Sequence, residues 1–264
     1  MKLFDSHAHY YDSRFDTEIT GGADALLPSL FEGDVGWIIN VGTNNENSAE
    51  CIAQASKYPN MYAAVGIHPS DCQQYTDTDR EVSRLSGAFD DREKNKIVAL
   101  GEIGLDYHYD DTDKAKQKDF FTRQMRLAEE LGLPVIIHDR DAHGDCMEIV
   151  RLFPNVHGVF HSFSGSAEMA RELIKMGWYI SFSGVVTFKN ASRIKEVAAS
   201  VPVSRLLIET DCPYLAPHPH RGEINHSGLI HYTLETLAEL HCMPSDELAA
   251  ATAHSAAELF EISL

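Results

Sequence analysis

Two histidines separated by a single residue, His7 and His9 in Asp5-Ser6-His7-Ala8-His9, stand near the start of the chain. On an extended segment that spacing sends both imidazoles to the same side, where they can reach one metal ion. Glu102 interrupts the apolar run Ala99-Leu100-Gly101-Glu102-Ile103-Gly104-Leu105, where a bare carboxylate is expensive and a cation, metal or arginine, relieves the cost. His138 closes Val135-Ile136-Ile137, His161 closes Gly158-Val159-Phe160, and Asp211 follows Leu206-Leu207-Ile208-Glu209-Thr210. Each of these alone also reads as a satisfied core histidine or an ion-paired carboxylate. Together, four histidines and two carboxylates at the ends of apolar segments point to a metal centre. Six ligands exceed the three or four of a mononuclear catalytic site and suit two ions. Nitrogen and oxygen donors without thiolate suit Mg²⁺, Mn²⁺ or Zn²⁺.

The segments that must position these groups follow a regular plan. Eight short runs rich in Val, Ile, Leu and aromatics begin at Lys2, Gly36, Met61, Lys96, Leu133, His157, Trp178 and Arg205 and read as strands. Between them, helical spacing predicts helices over Glu46–Ser56, Lys114–Leu131, Ala142–Leu152, Ala167–Met176 and Leu229–Leu240. Apolar strands alternating with helices indicate a buried parallel sheet, and eight such units predict an α/β chain folded as a single (β/α)₈ TIM-type barrel domain over residues 1–264. An open doubly wound sheet is the alternative. In a barrel, Asp5, His7, His9, Glu102, His138, His161 and Asp211, each expected at a strand end, converge on one face.

Composition narrows the function. The 264 residues carry 22 Lys plus Arg against 40 Asp plus Glu, a formal net charge of -18. That is the reverse of a duplex-gripping footprint, so a polyanionic substrate requires bound cations to invert the local field. Five cysteines without a C-x-x-C pair suit a reducing compartment, and the cytoplasm is expected. No apolar run approaches membrane-spanning length, so no membrane association is expected. Cys212 reads as a small filler beside Asp211 rather than a ligand.

The motifs D-x-H-x-H from Asp5, G-x-H-P at Gly66–Pro69, GEIGLDY at Gly101–Tyr107, IIHDRDA at Ile136–Ala142, HSFSGS at His161–Ser166, and ETDCPYLAP with PHRG through Gly222 resemble the TatD family of metal-dependent DNases, within the amidohydrolase superfamily. The resemblance implies a hydrolytic phosphodiesterase, a 3′-to-5′ exodeoxyribonuclease that acts on single-stranded or frayed DNA ends through a water shared by two ions. It also implies a ligand partition, with His7, His9 and Asp211 on the first ion, His138 and His161 on the second, and Glu102 bridging them. Asp211 is then the general base, and Glu102 and Asp211 are the catalytic carboxylates. His68 resembles the family position near the scissile phosphate. Arg221 suits a bidentate phosphate contact, and Ser162 and Ser164 can present hydroxyls or amides to phosphate. Asp5, Glu209 and Asp139 are candidate carboxylates for orienting the ligand imidazoles. After Gly222 the sequence leaves the family pattern, with Glu223-Ile224-Asn225-His226-Ser227 in place of Glu-Pro. His218, His220, His226 and His231 are expected to form a solvated loop. No obligate protein partner is inferred. A metal-dependent hydrolase of a small ester or aminoacyl substrate, using the same centre, is the competing function. A non-catalytic metal-binding scaffold is the remote one.

Overall fold

A computed structural model describes residues 2–264. Its strands are β1 (Leu3–Ala8), β2 (Val35–Val41), β3 (Met61–Val65), β4 (Ile97–Asp106), β5 (Val135–Arg140), β6 (Gly158–Phe160), β7 (Tyr179–Phe182) and β8 (Leu206–Ile208). The helices are α1 (Arg14–Glu18), α2 (Gly22–Glu32), α3 (Asn45–Lys57), α4 (Thr78–Ser86), α5 (Lys114–Leu131), α6 (His143–Arg151), α7 (Ala167–Lys175), α8 (Ser192–Ser200), α9 (Ile230–Leu240) and α10 (Ser245–Phe260). The strands run in sequential order from β1 to β8 in one sheet. Helices alternate with them, and the chain has the (β/α)₈ TIM-barrel fold.

The chain divides into two compact units. One comprises the residues through Asn40, His161–Lys175 and Tyr179–Leu264. Within it β1 pairs with β2 and β7 with β8, both in parallel. The return from β8 to β1 also lies here: Ala8 bridges Cys212, the His9 N–H donates to the Cys212 carbonyl at 2.8 Å, and the Asp211 N–H donates to the His7 carbonyl at 2.9 Å. The apolar residues Leu3, Phe4, Ile38, Ile180, Phe182 and Leu207 are buried, and α10 lies against β1 with Phe260 stacked on Phe4 at 6.5 Å. Spacing alone did not single out α10, because in Glu247-Leu248-Ala249-Ala250-Ala251-Thr252-Ala253 the small residues offer little contrast between buried and exposed faces.

The second unit comprises Val41–Phe160 and Met176–Trp178. Here β3, β4, β5 and β6 pair in order, all parallel. Helix α3 starts at the expected place, since the Asn44 side chain accepts from the Asn47 N–H and Asn47 reciprocates as a capping box. Helix α5 buries Gln117, Phe120, Phe121, Gln124, Met125 and Ala128 along one face and ends on Gly132 in the left-handed region. Glu102 and His138 do not sit at strand ends as expected. The β4–β5 ladder runs on to Asp106–Arg140, leaving Glu102 inside a ten-residue strand. A register shift between Leu100 and Ile103 marks a bulge around Glu102, a device that re-aims a side chain beside a site.

Gly104 explains how the strands come so close there. It has φ +140°, and a Cβ at this position would lie 2.0 Å from the His138 carbonyl oxygen. We predict that Gly104→Ala combines backbone strain with a clash against the His138 backbone and destabilises the protein by about 3 kcal/mol. Thermal unfolding checks this, and an unchanged Tm would refute the close-approach reading.

Candidate metal centre

In the first unit, His7 leaves β1 fully buried and His9 lies just beyond it. Their Nε2 atoms are 3.0 Å apart. Asp211 Oδ1 lies 3.3 Å from His9 Nε2 and 3.8 Å from His7 Nε2. The three side chains offer ligand atoms within 4.8 Å of one another. Donors held about 2.0–2.1 Å from one ion stand roughly 3.0–3.4 Å apart, so this group fits a divalent cation. Its convergence follows from the β8-to-β1 hydrogen bonds, which bring Asp211 beside the strand that carries both histidines. Burial pushes the Asp211 carboxyl up, but the hydrogen bond from His9 and the charges of His161, His7 and His9 outweigh it and hold the group below its ordinary value. Asp211 is therefore ionised and an acceptor only at neutral pH.

His161, directly after β6, stacks on His7 with ring centroids 4.0 Å apart and planes 11° from parallel. Its Nδ1 lies 3.3 Å from Glu209 Oε1, which also accepts from the Ser162 N–H at 2.7 Å. Glu209 thus stands where a carboxylate orients that imidazole. Asp5 plays a different part from the one expected. It accepts from the Thr210 N–H at 2.9 Å, from the Thr210 hydroxyl at 2.6 Å and from the Ser227 hydroxyl at 2.6 Å. The His7 N–H reaches Asp5 Oδ1 at 3.3 Å, so the carboxylate gathers two backbone N–H groups and two hydroxyls. We predict that Asp5→Ala strands these buried donors and lowers stability by about 3 kcal/mol, a fall in Tm of roughly 6–12 °C. A calorimetric scan measures it; a shift under a degree would show the network to be dispensable.

In the second unit, Glu102 Oε1 lies 2.8 Å from His138 Nδ1 and 3.4 Å from His68 Nε2. His138 presents its other nitrogen, Nε2, to Asp106 Oδ2 at 3.2 Å. The rings of His68 and His138 meet edge to face at 4.4 Å. His68, Glu102 and His138 form a second group whose ligand atoms lie within 4.8 Å of one another. Burial raises the Asp106 carboxyl, yet the bonds from His138 and the His108 N–H, with the charges of His138 and Arg140, hold it below its ordinary value. Burial pushes the His68 imidazole down, against the charge of Glu102, and favours the neutral, ligating form.

Sequence reading missed three residues of this group's support. Asp106, in the motif Gly101–Tyr107, replaces Asp139 as the carboxylate at His138; Asp139 turns to His143 Nδ1 at 2.8 Å instead. Gln117 and Gln124, buried on α5, each make a paired amide clamp on backbone. Gln117 bonds the N–H and carbonyl of Asp106 at 2.9 and 3.0 Å, and Gln124 bonds those of Ile67, next to His68, at 2.7 and 3.0 Å. A glutamine at an apolar helical position was the available signal.

The weaker candidates fall outside these groups. Ser164 is exposed, and the exposed Arg221 guanidinium lies over the Phe188 ring, 4.2 Å from its centroid. Cys212 is buried with its thiol pushed up by that burial, as a filler should be. The segment after Gly222 is not a solvated loop. Asn225 is fully buried and donates to the Thr210 and Tyr214 carbonyls at 2.9 and 2.7 Å, and His220 pairs with Glu223 and Tyr232.

A (β/α)₈ fold carrying grouped histidines and carboxylates has the side chains a metal-dependent hydrolase needs. Residues 4–261 match the family described as TatD related DNase, and the chain belongs to that family. It is 41% identical to the uncharacterized metal-dependent hydrolase YabD of Bacillus subtilis (strain 168) over 98% of this chain and 99% of that protein. It is 35% identical to the uncharacterized metal-dependent hydrolase YcfH of Escherichia coli (strain K12), covering 99% and 97%. The crystal structure of YjjV, a TatD homolog from Escherichia coli K12, superposes with a TM-score of 0.90 at 32% identity, covering 99% of this chain and 98% of that one. Among the described residues, no helix is long and apolar enough to cross a membrane.

Proposed function

We propose that the protein is a two-metal phosphodiester hydrolase that removes nucleotides from the 3′ ends of single-stranded or frayed DNA. The observation that carries the reading is the composition of the two ligand groups. Both consist of imidazole and carboxylate donors only, the set that suits Mg²⁺, Mn²⁺ or Zn²⁺. The family match supplies the nuclease expectation, and by the same resemblance Glu102 and His138 would be among the ligands of a divalent ion. Divalent ions held by these residues would supply Lewis acidity toward water and offset phosphate charge.

The chain's own residues do the rest. Asp211, ionised and next to His9, takes the proton from the attacking water. Asp106 and Glu209 orient His138 and His161, so the donors need little rearrangement during the reaction. Asp5 and the two α5 glutamines hold the backbone on which the ligands ride. The acidic surface adds little affinity for extended polynucleotide, which fits action at chain ends. Five free cysteines, four of them buried, suit a reducing compartment such as the cytoplasm.

The test is incubation of purified protein with an end-labelled single-stranded oligonucleotide and Mg²⁺, Mn²⁺ or Zn²⁺, with chelator as control. Metal-dependent laddering from the 3′ end is expected, and chelation should abolish it. Intact DNA in the presence of metal-loaded protein would overturn the nuclease reading and transfer the same centre to a small ester or aminoacyl substrate.

A further inference from the structure

A cleft of about 370 Å³, which none of the roles above uses, opens between two segments that follow residues of the site. One is the turn after His68, whose Nδ1 accepts from the Ser70 N–H at 3.1 Å and whose carbonyl accepts from the Asp71 N–H at 3.0 Å. The other is the loop after β4, anchored where the His108 N–H donates to Asp106 Oδ1 at 3.0 Å and the Tyr107 N–H donates to the Arg140 carbonyl at 2.9 Å.

Tyr109, 56% exposed, stands on the second wall as a large aromatic side chain left open to solvent. His108 meets its ring at 5.1 Å with planes at 81°, and the Arg140 guanidinium lies 5.7 Å from its centroid. Facing the cleft are Ser70, Gln73, Gln74, Asp111 and Thr112. Asp71 also lines it, but its Oδ2 is committed to Thr43 and Asn44 at 2.9 and 2.8 Å. Lys116 Nζ is spent on the Gln73 carbonyl at 3.1 Å, so no free cation faces the cleft among the residues that line it. Two carboxylates and no Lys or Arg in the lining disfavour phosphate. An open aromatic face with amides, hydroxyls and one uncommitted carboxylate favours a flat heterocycle that carries hydrogen-bond donors.

We propose that this cleft is a nucleobase subsite in which Tyr109 stacks on the base and Asp111 accepts from its exocyclic amino group. This rests on the reading of the neighbouring site as acting on nucleic-acid ends. The subsite prefers cytosine, adenine or guanine over thymine, which lacks the amino donor. Gln73 and Gln74 can bond the remaining edge of any base, since an amide offers both donor and acceptor.

The experiment uses the full chain stripped of metal with chelator, titrated with deoxycytidine and with thymidine and followed by calorimetry. Neither metal nor scissile phosphate takes part, so the outcome is independent of whether the protein cleaves DNA. Deoxycytidine should bind more tightly than thymidine, and Tyr109→Ala should weaken deoxycytidine binding by roughly tenfold, the scale of one base–aromatic stack. Tyr109→Phe should restore it, and Asp111→Asn should remove the preference for deoxycytidine. Undetectable nucleoside binding by wild type, or binding by Tyr109→Ala equal to wild type, would overturn the subsite. In parallel, an oligonucleotide with a base-free 3′ end should be a poorer substrate than its normal counterpart for wild type but equal to it for Tyr109→Ala. Preservation of that difference in Tyr109→Ala would count against the subsite even in an active nuclease.

Discussion

Replacing Asp211 with Asn lowers turnover by about 10²–10⁴-fold, the range over which a positioned general base acts. The substitution is informative because the position is conformationally special. Asp211 has φ 57°, in the left-handed region that asparagine tolerates better than other non-glycine residues. Its amide oxygen can still accept from His9, so the backbone bond from the Asp211 N–H to the His7 carbonyl has no reason to break. What the variant loses is the charge and the ability to take a proton. Turnover on oligonucleotide, metal content and unfolding temperature should be measured on one preparation. Loss of turnover with Tm near wild type supports the assignment, whereas near-normal turnover would remove Asp211 from the role of base. Asp211→Ala adds strain at positive φ and should unfold earlier, which separates the conformational contribution from the chemical one.

Glu102→Gln should have the second large effect, on metal as well as on rate. Glu102 is buried between His138 Nδ1 and His68 Nε2, and glutamine can keep the bond from His138 through its carbonyl oxygen. The fold should therefore survive. The variant loses a negative charge that would attract cations, so bound divalent metal should fall below the wild-type content. Turnover should drop by about 10²–10³-fold, as for other preorganised electrostatic groups. Elemental analysis with a kinetic assay reads both. Full metal occupancy in the variant would show that Glu102 supports the histidines without binding an ion.

Much of this site was legible before folding. The one-residue gap between His7 and His9 fixes their common side on an extended chain, and the 3.0 Å separation of their nitrogens is the outcome. The alternation of apolar strands with helices was equally plain. Strand ends were less so: Glu102 and His138 lie within ladders, because pairing continues as long as neighbouring backbones can approach, and Gly104 allows that approach. Asp139 and Asp106 look alike in sequence, each a carboxylate at the end of an apolar run. Only strand register turns Asp106 to His138 and leaves Asp139 to His143. The segment after Gly222 looked polar enough for solvent, yet Asn225 is buried because it satisfies two backbone carbonyls there.

Residue types and short-range spacing, then, determined the donor chemistry and the alternating α/β plan. These depend on side-chain identity and local periodicity, which travel with the chain. Tertiary structure decided the partners. Asp5 meets Thr210 across 205 residues, and Asp211 joins His7 and His9 only because β8 returns to β1. Such bonds are made by backbone closure and register, which depend on the fold as a whole and leave no mark in any short stretch of sequence.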